Sequence, residues 1–323
     1  MTIFLSNDDV RTLLPMDECI DLMEQVFRDE ADGKAVNLPR QHLPLPKGFH
    51  RTVQGIAEGF GVYGMKTYGS DRRPNAPNRT RYLVLLYSLE TGALDAIVDA
   101  RDLGQIRTGA VSGLATRYMA REDAATLGII GTGWEARAQI AAMNVVRNIS
   151  HVKAYSRSAE NREAFSAEMR EKHGLDVDPV DSAEEAVRDV DILVTITGAN
   201  EPVMQGEWLQ AGMHVNGIGA TGANRRELDV EAVRRADLVA VENMEQSRID
   251  SGELLYAEKE GAFDWSRAVA LADIVVGNAA GRPSAEAITQ FNALGVGTED
   301  LAAAAIVYCK AIERGIGSEL AMM

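Results

Sequence analysis

Gly131-Thr132-Gly133-Trp134-Glu135-Ala136 follows the apolar run Leu127 to Ile130 and fits G-x-G-x-x-G/A, a spacing suited to holding a pyrophosphate. Gly131 permits a sharp turn off a strand, Gly133 has no side chain to keep a phosphate away from the backbone, and Ala136 is small enough for a helix to pack on that strand. The helix that follows, Trp134 to about Arg147, directs free N–H groups and its positive dipole end at the phosphates. The motif alone also fits a tight turn in an ordinary βα unit. A second apolar strand at His151 to Tyr155 supplies the context that favours a dinucleotide. That second strand ends in Ser156-Arg157-Ser158, with no acid for a ribose 2′-OH, which favours NADP over NAD, although an arginine there also suits a plain surface. Thr195 and Thr197 at the fourth strand's end, with Asn216, Gly217, Ile218 and Gly219 at the fifth, are expected to line the crevice at the sheet's carboxyl edge. The alternative for the two threonines is simple strand capping.

These residues need a scaffold. Ile20, Met23 and Phe27 form one stripe within residues 16 to 32, an amphipathic helix stopped by Gly33. Pro39-Arg40-Gln41-His42 is extended, and strand-like runs follow at Thr52 to Ala57, Gly61 to Tyr68, Arg81 to Ser88 and Ala93 to Asp99, which predicts an antiparallel sheet. Asp102 to Met119 is a linking helix with Asp102 as its N-cap. From Ala124 the chain alternates β and α, with later strands at Asp191 to Thr195, His214 to Ile218, Asp237 to Val241 and Ile274 to Val276. The last segment, Thr298 to Glu313, is a helix with Thr298 as N-cap and Glu299 and Asp300 in a first turn whose dipole favours acids. It is expected to pack on the N-terminal part. The fold class is therefore α/β: a Rossmann-type doubly wound parallel sheet (residues 121–297) plus an α+β domain (1–120, completed by 298–323), the one that the resemblance named below implies to be the substrate and dimerisation domain.

The whole chain narrows the partners. Its 323 residues allow two domains, and 46% hydrophobic with 25% charged residues is ordinary for a soluble globular protein. A net charge of -15 argues against nucleic acid and anionic membranes, which need a positive face. No run approaches a membrane span and no signal-peptide pattern occurs, so the expected location is cytoplasmic. Cys19 and Cys309 are read as buried thiols, and the five histidines show no metal-ligand spacing, so no metal is expected.

Several motifs in order resemble the ornithine cyclodeaminase/mu-crystallin family over nearly the full length. They are Gly64-Met65-Lys66-Thr67, Gln105-Ile106-Arg107-Thr108-Gly109-Ala110, Ile130-Gly131-Thr132-Gly133, Val215-Asn216-Gly217-Ile218-Gly219-Ala220 with Arg226-Glu227-Leu228-Asp229, and Gly281-Arg282-Pro283-Ser284. The resemblance implies a homodimer formed through the substrate-domain sheet, a substrate carboxylate held by Arg40, Lys66 and Arg107, and Thr108 among the cofactor contacts. Guanidinium groups match a carboxylate bidentately, while an ammonium supplies a mobile charge and a proton. Arg40 equally fits a solvated surface, whereas Lys66 between apolar residues in a strand is uncommon without a partner. Where cyclodeaminases carry an aspartate, this chain has Thr221, and a hydroxyl cannot serve as the carboxylate base of cyclisation. The resemblance therefore implies NAD(P)H-dependent imine reduction, or its reverse, amino-acid oxidation, with Lys66 catalytic, itself or through a water it orients protonating or polarising the nitrogen, and with Thr221 at the substrate. A cyclodeaminase-type ammonia lyase and a mu-crystallin-like NADPH- and ligand-binding protein are the rival readings.

One cluster points to the substrate side chain. Arg72, Arg73, Arg79 and Arg81 lie in a Pro/Asn-rich loop of an otherwise acidic protein. Solvation or salt bridges explain the adjacent Arg72 and Arg73. Arg79 and Arg81 lead into the strand Tyr82 to Tyr87 and share a side by period-2 alternation. On the pocket side, one of them would bind a second carboxylate, as in reduction of iminosuccinate to aspartate.

Overall fold

The computed structural model describes residues 2–71 and 80–321. The chain divides into two compact units, Met1–Arg107 with Gly295–Met323, and Thr108–Leu294. The division falls inside the helix Arg101–Met119, upstream of the expected 120/121 boundary, because a continuous helix carries no composition break to mark it. Asp102 lies inside that helix's first turn and pairs with Arg11, so it is not the cap.

The first unit is built on a sheet of β1 (Thr2–Leu5), β2 (Ala35–Leu45), β3 (Gly48–Ala57), β4 (Val62–Asp71), β5 (Arg81–Ser88) and β6 (Leu94–Asp99), closed by a last strand Ser318–Leu320. β2 to β6 form the expected antiparallel meander. β1, however, pairs parallel with β6, so the sheet is mixed. The helices Met16–Ala31 and Gly297–Arg314 pack together, the latter also against β3 and β4. Three glycines make that approach possible. A Cβ on Gly55 would lie 3.1 Å from the Thr298 methyl, one on Gly64 would lie 3.1 Å from Leu301, and one on Gly297 would lie 2.7 Å from the Gln54 carbonyl. Gly55 and Gly64 stand directly opposite each other, so the helix's first turn rests on a patch of bare backbone. Val296 is the N-cap rather than Thr298, whose N–H is taken at 2.9 Å by the Asn37 side chain from β2. Cys19 is buried, but Cys309 is exposed on the outer side of the C-terminal helix, contrary to the expectation for it.

The second unit is an all-parallel sheet of β7 (Thr126–Ile130), β8 (His151–Tyr155), β9 (Asp176–Pro179), β10 (Ile192–Thr195), β11 (His214–Gly217), β12 (Leu238–Val241), β13 (Ala268–Ala270) and β14 (Thr289–Asn292). Its order is β13-β12-β14-β11-β10-β7-β8-β9, so the direction of winding reverses between β7 and β10, where doubly wound sheets bind nucleotides. The strand expected at Ile274 to Val276 does not form. That run ends the helix Leu271–Val275, and β13 and β14 take the edge and interior places instead. A short apolar run has no period to distinguish buried helix from strand. Among the described residues no helix is long and apolar enough to cross a membrane.

Candidate active site

The glycine turn is built as its residue types require. Gly131 adopts φ 111°, and a Cβ there would lie 2.3 Å from the Ile196 carbonyl oxygen, so the turn closes against the end of β10. Gly133 faces open space, with nothing within 4 Å of a Cβ, which is the cradle a pyrophosphate needs. Ala136 opens the helix Ala136–Val146 and is fully buried. These residues wall a cleft of ≈ 820 Å³ that Gly131, Thr132 and Gly133 share with Ser156, Arg157 and Thr197. The arrangement fits a dinucleotide.

Not every residue expected at the cofactor lines that cleft. Ser158 does, yet its hydroxyl also caps the helix Ala159–His173 by accepting from the Asn161 N–H. Thr132 donates a 2.9 Å hydrogen bond to Ser156, tying the glycine turn to the end of β8. Trp134 is partly exposed, Glu135 is the N-cap position of the following helix, and neither belongs to the cleft wall. Thr195 and Asn216 are fully buried, with the Asn216 amide donating to Thr116, while Gly217, Ile218 and Gly219 continue behind them. Thr108 is half-buried, and its carbonyl accepts from Ser112 one turn on. Sequence reasoning missed the wall after β10, from Gly198 to Glu201, because a loop with one glycine and one surface acid carries no recognisable spacing.

Behind that wall, Glu227 joins two loops. Its carboxylate accepts from the backbone N–H of Thr197 after β10 and, at 2.7 Å, from that of Gly219 after β11. Glu253 in turn accepts from the N–H groups of Glu227 and Leu228. Burial and repulsion by Glu227 push the Glu253 carboxyl up to about 8, so near neutral pH one of the two acids is protonated. Thr221 is half-buried just beyond Gly219.

In the first unit, Lys66 and Arg107 are buried and paired. The Lys66 ammonium contacts both Asp300 oxygens, at 2.8 and 2.7 Å. Arg107 donates from Nε to Asp300 at 2.8 Å and from Nη1 to Glu299 at 2.9 Å. Side-chain exposure is 7% for Lys66 and 0% for both acids, so the partner Lys66 was expected to need is present. Glu299 and Asp300 occupy the helix's first turn as read, but their principal role is to hold these two cations. Arg40 is buried rather than surface-solvated and donates at 3.0 Å to the Gly295 carbonyl. A Cβ on Gly295 would come within 2.8 Å of the Arg107 guanidinium, so this glycine is the point both arginines are built around.

Burial and the nearby Arg107 lower the Lys66 pKa more than Asp300 raises it, which makes its ammonium a stronger acid. Burial by itself would raise the Asp300 pKa, but Arg107 and Lys66 outweigh it and hold the carboxyl below its ordinary range. A buried, oriented proton donor beside a guanidinium can bind a carboxylate and protonate a neighbouring nitrogen.

The arginine loop divides. Arg72, Arg73 and Arg79 lie outside the described residues. Arg81 is exposed and stands opposite Gly69, whereas Lys66 pairs with Val84 and Tyr68 with Tyr82. Directly paired residues share a face, so Arg81 points away from Lys66 and is corrected as a ligand of that site.

A family model for the ornithine cyclodeaminase/mu-crystallin family matches residues 1–315. The chain belongs to that family. Thermococcus litoralis Delta(1)-pyrroline-2-carboxylate reductase in complex with NADH and L-proline superposes with a TM-score of 0.94 at 35% identity, covering 98% of this chain and 100% of that one. An archaeal alanine dehydrogenase dimer with bound NAD gives 0.93 at 34%, covering 100% and 99%. The iminosuccinate reductase of Paracoccus denitrificans in complex with NAD+ gives 0.91 at 26%, covering 99% of each chain. By their names these similar proteins of the family are oxidoreductases acting on imines or amino acids.

Proposed function

We propose that this chain is an NAD(P)H-dependent imine reductase, or in the reverse direction an L-amino-acid dehydrogenase, acting on a small α-imino acid. The observation that carries the reading is the buried Lys66, bound to Asp300 beside Arg107, in the same chain as a glycine turn fitted to a dinucleotide. The cofactor supplies a hydride when bound. Arg107 and Arg40 hold the substrate carboxylate, and Lys66 gives a proton to the imine nitrogen as its carbon is reduced, with Asp300 fixing the ammonium's direction. Thr221, in place of an acid, supports reduction over cyclisation. Arg157 on the cleft wall and the absence of an acid after β8 support NADP over NAD.

The sheet face away from the C-terminal helix carries half-buried Ile56, Met65, Leu83 and Leu85 and the stacked Tyr63 and Tyr87, which suits pairing with a second copy. The test follows NADH and NADPH absorbance with 2-oxo acids plus ammonia or methylamine and with preformed cyclic imines. Turnover by wild type and its loss in Lys66→Ala, with dinucleotide affinity retained, is the expected result. Near-wild-type turnover in Lys66→Ala removes the lysine from the mechanism.

A further inference from the structure

Lys66 shares its sheet face with a fourth cation. Arg51 on β3 stands directly opposite Tyr68, two pairs along the ladder from Val53 and Lys66 and so on the same face. Its position is diagonal to Lys66, at about 7–8 Å between backbones. The guanidinium lies 4.9 Å from the centre of the Phe49 ring, and its Nε is buried with no hydrogen-bond partner. Tyr68 is itself held in place, stacked on Tyr82 at 5.2 Å and edge-on to Phe49, with the Lys66 ammonium 5.7 Å from its ring centre. The positive charges of Arg40, Lys66 and Arg51, and the hydrogen bond from Arg51, lower the Tyr68 phenol's pKa even though burial opposes this. Among the described residues, the cations Arg40, Arg51, Lys66 and Arg107 thus meet the carboxylates of Glu299 and Asp300. One α-carboxylate leaves that set with positive charge to spare.

We infer that Arg51 and the Tyr68 hydroxyl form a second anion subsite, which makes the preferred substrate a dicarboxylic α-imino acid. The inference rests on the reading of this chain as an imine reductase and names the substrate class of that same site. The α-carboxylate lies on Arg107 and Arg40, the imine nitrogen by Lys66, and the distal carboxylate on Arg51 and Tyr68. The guanidinium, 4.9 Å from the centre of the Phe49 ring, keeps its buried Nε–H for a carboxylate, and the phenol adds a donor beside it. This subsite replaces the role that the exposed Arg81 cannot fill.

The test compares oxaloacetate plus ammonia with pyruvate plus ammonia in wild type, Arg51→Leu and Arg51→Gln, following oxidation of the reduced dinucleotide. Wild type is expected to favour the oxaloacetate-derived imine in kcat/KM by about a hundredfold, and both variants to lose most of that preference, chiefly through KM, while pyruvate changes by no more than a few-fold. In parallel, calorimetry measures succinate against propionate binding to the same three proteins. Wild type should bind succinate more tightly, and the variants should not. Equal losses for both oxo acids, or an unchanged preference, overturns the subsite. If wild type turns over none of these imines, the reductase reading fails, and the succinate comparison decides the subsite by itself: no preference over propionate refutes it.

Discussion

Replacing Asp300 with asparagine keeps the shape of the side chain and removes the charge shared by Lys66 and Arg107. The carboxylate is fully buried and lies within 2.8 Å of both cations, so the substitution leaves a buried ammonium without its counter-charge. Breaking a buried pair from one side costs about 3–5 kcal/mol, and because the amide oxygen still accepts one hydrogen bond we expect about 3 kcal/mol. At roughly 2–4 °C per kcal/mol, the melting temperature near neutral pH should fall by on the order of 10 °C. The pH dependence follows from the direction of each shift. Asp300 has a folded pKa below its ordinary 3.8, so its stabilisation is present above that pH and is lost as pH falls through the folded value. Lys66 has a folded pKa below its ordinary 10.5, and loss of Asp300 lowers it further, so the variant regains stability on the alkaline side as the lysine deprotonates. The gap between wild type and Asp300→Asn should therefore be widest near neutrality and narrow in both acid and alkali. The alkaline limb of kcat/KM for reduction should also move to lower pH, because protonated Lys66 is lost earlier without Asp300. Calorimetric melting across pH and the pH–rate profile measure the two effects, and Lys66→Met should cost less in the Asp300→Asn background than in wild type. An unchanged melting temperature together with an unmoved alkaline limb would refute the assignment of Asp300 as the partner that sets Lys66.

Three further outcomes are expected. Gly133→Val should remain folded, since a Cβ there meets nothing within 4 Å, yet lose the quenching or enhancement of NADPH fluorescence on titration; Gly131→Val should fail to fold, its Cβ falling 2.3 Å from the Ile196 carbonyl oxygen. Arg157→Ala should raise KM for NADPH by about tenfold and leave NADH within a few-fold, and equal effects on both cofactors would remove the 2′-phosphate contact. Incubation with NAD and L-ornithine should release neither proline nor ammonia in catalytic amounts, because Thr221 offers no carboxylate base.

The sequence by itself determined the local chemistry. Gly131 and Gly133 announce the turn through backbone conformation and missing bulk, and β8 and β5 fall where their apolar runs begin and end. Lys66 between apolar neighbours required a partner, and one exists. The identity of that partner belongs to the tertiary structure: Asp300 lies 234 residues away, brought to the lysine because Gly55, Gly64 and Gly297 let a helix end approach bare backbone. Alternation along β5 correctly states that neighbours at i and i+2 share a side, but only the pairing of Tyr82 with Tyr68 and Val84 with Lys66 decides which side faces the cations. That pairing turns Arg81 outward, and the register of β3 on β4, with Arg51 opposite Tyr68, brings Arg51 onto the Lys66 face. The run at Ile274 to Val276 shows the same limit, since its hydrophobicity requires burial but does not specify helix or strand. Side-chain type and short-range spacing are properties of the chain, whereas partner, face and burial depend on registers between strands distant in sequence, which no local window contains.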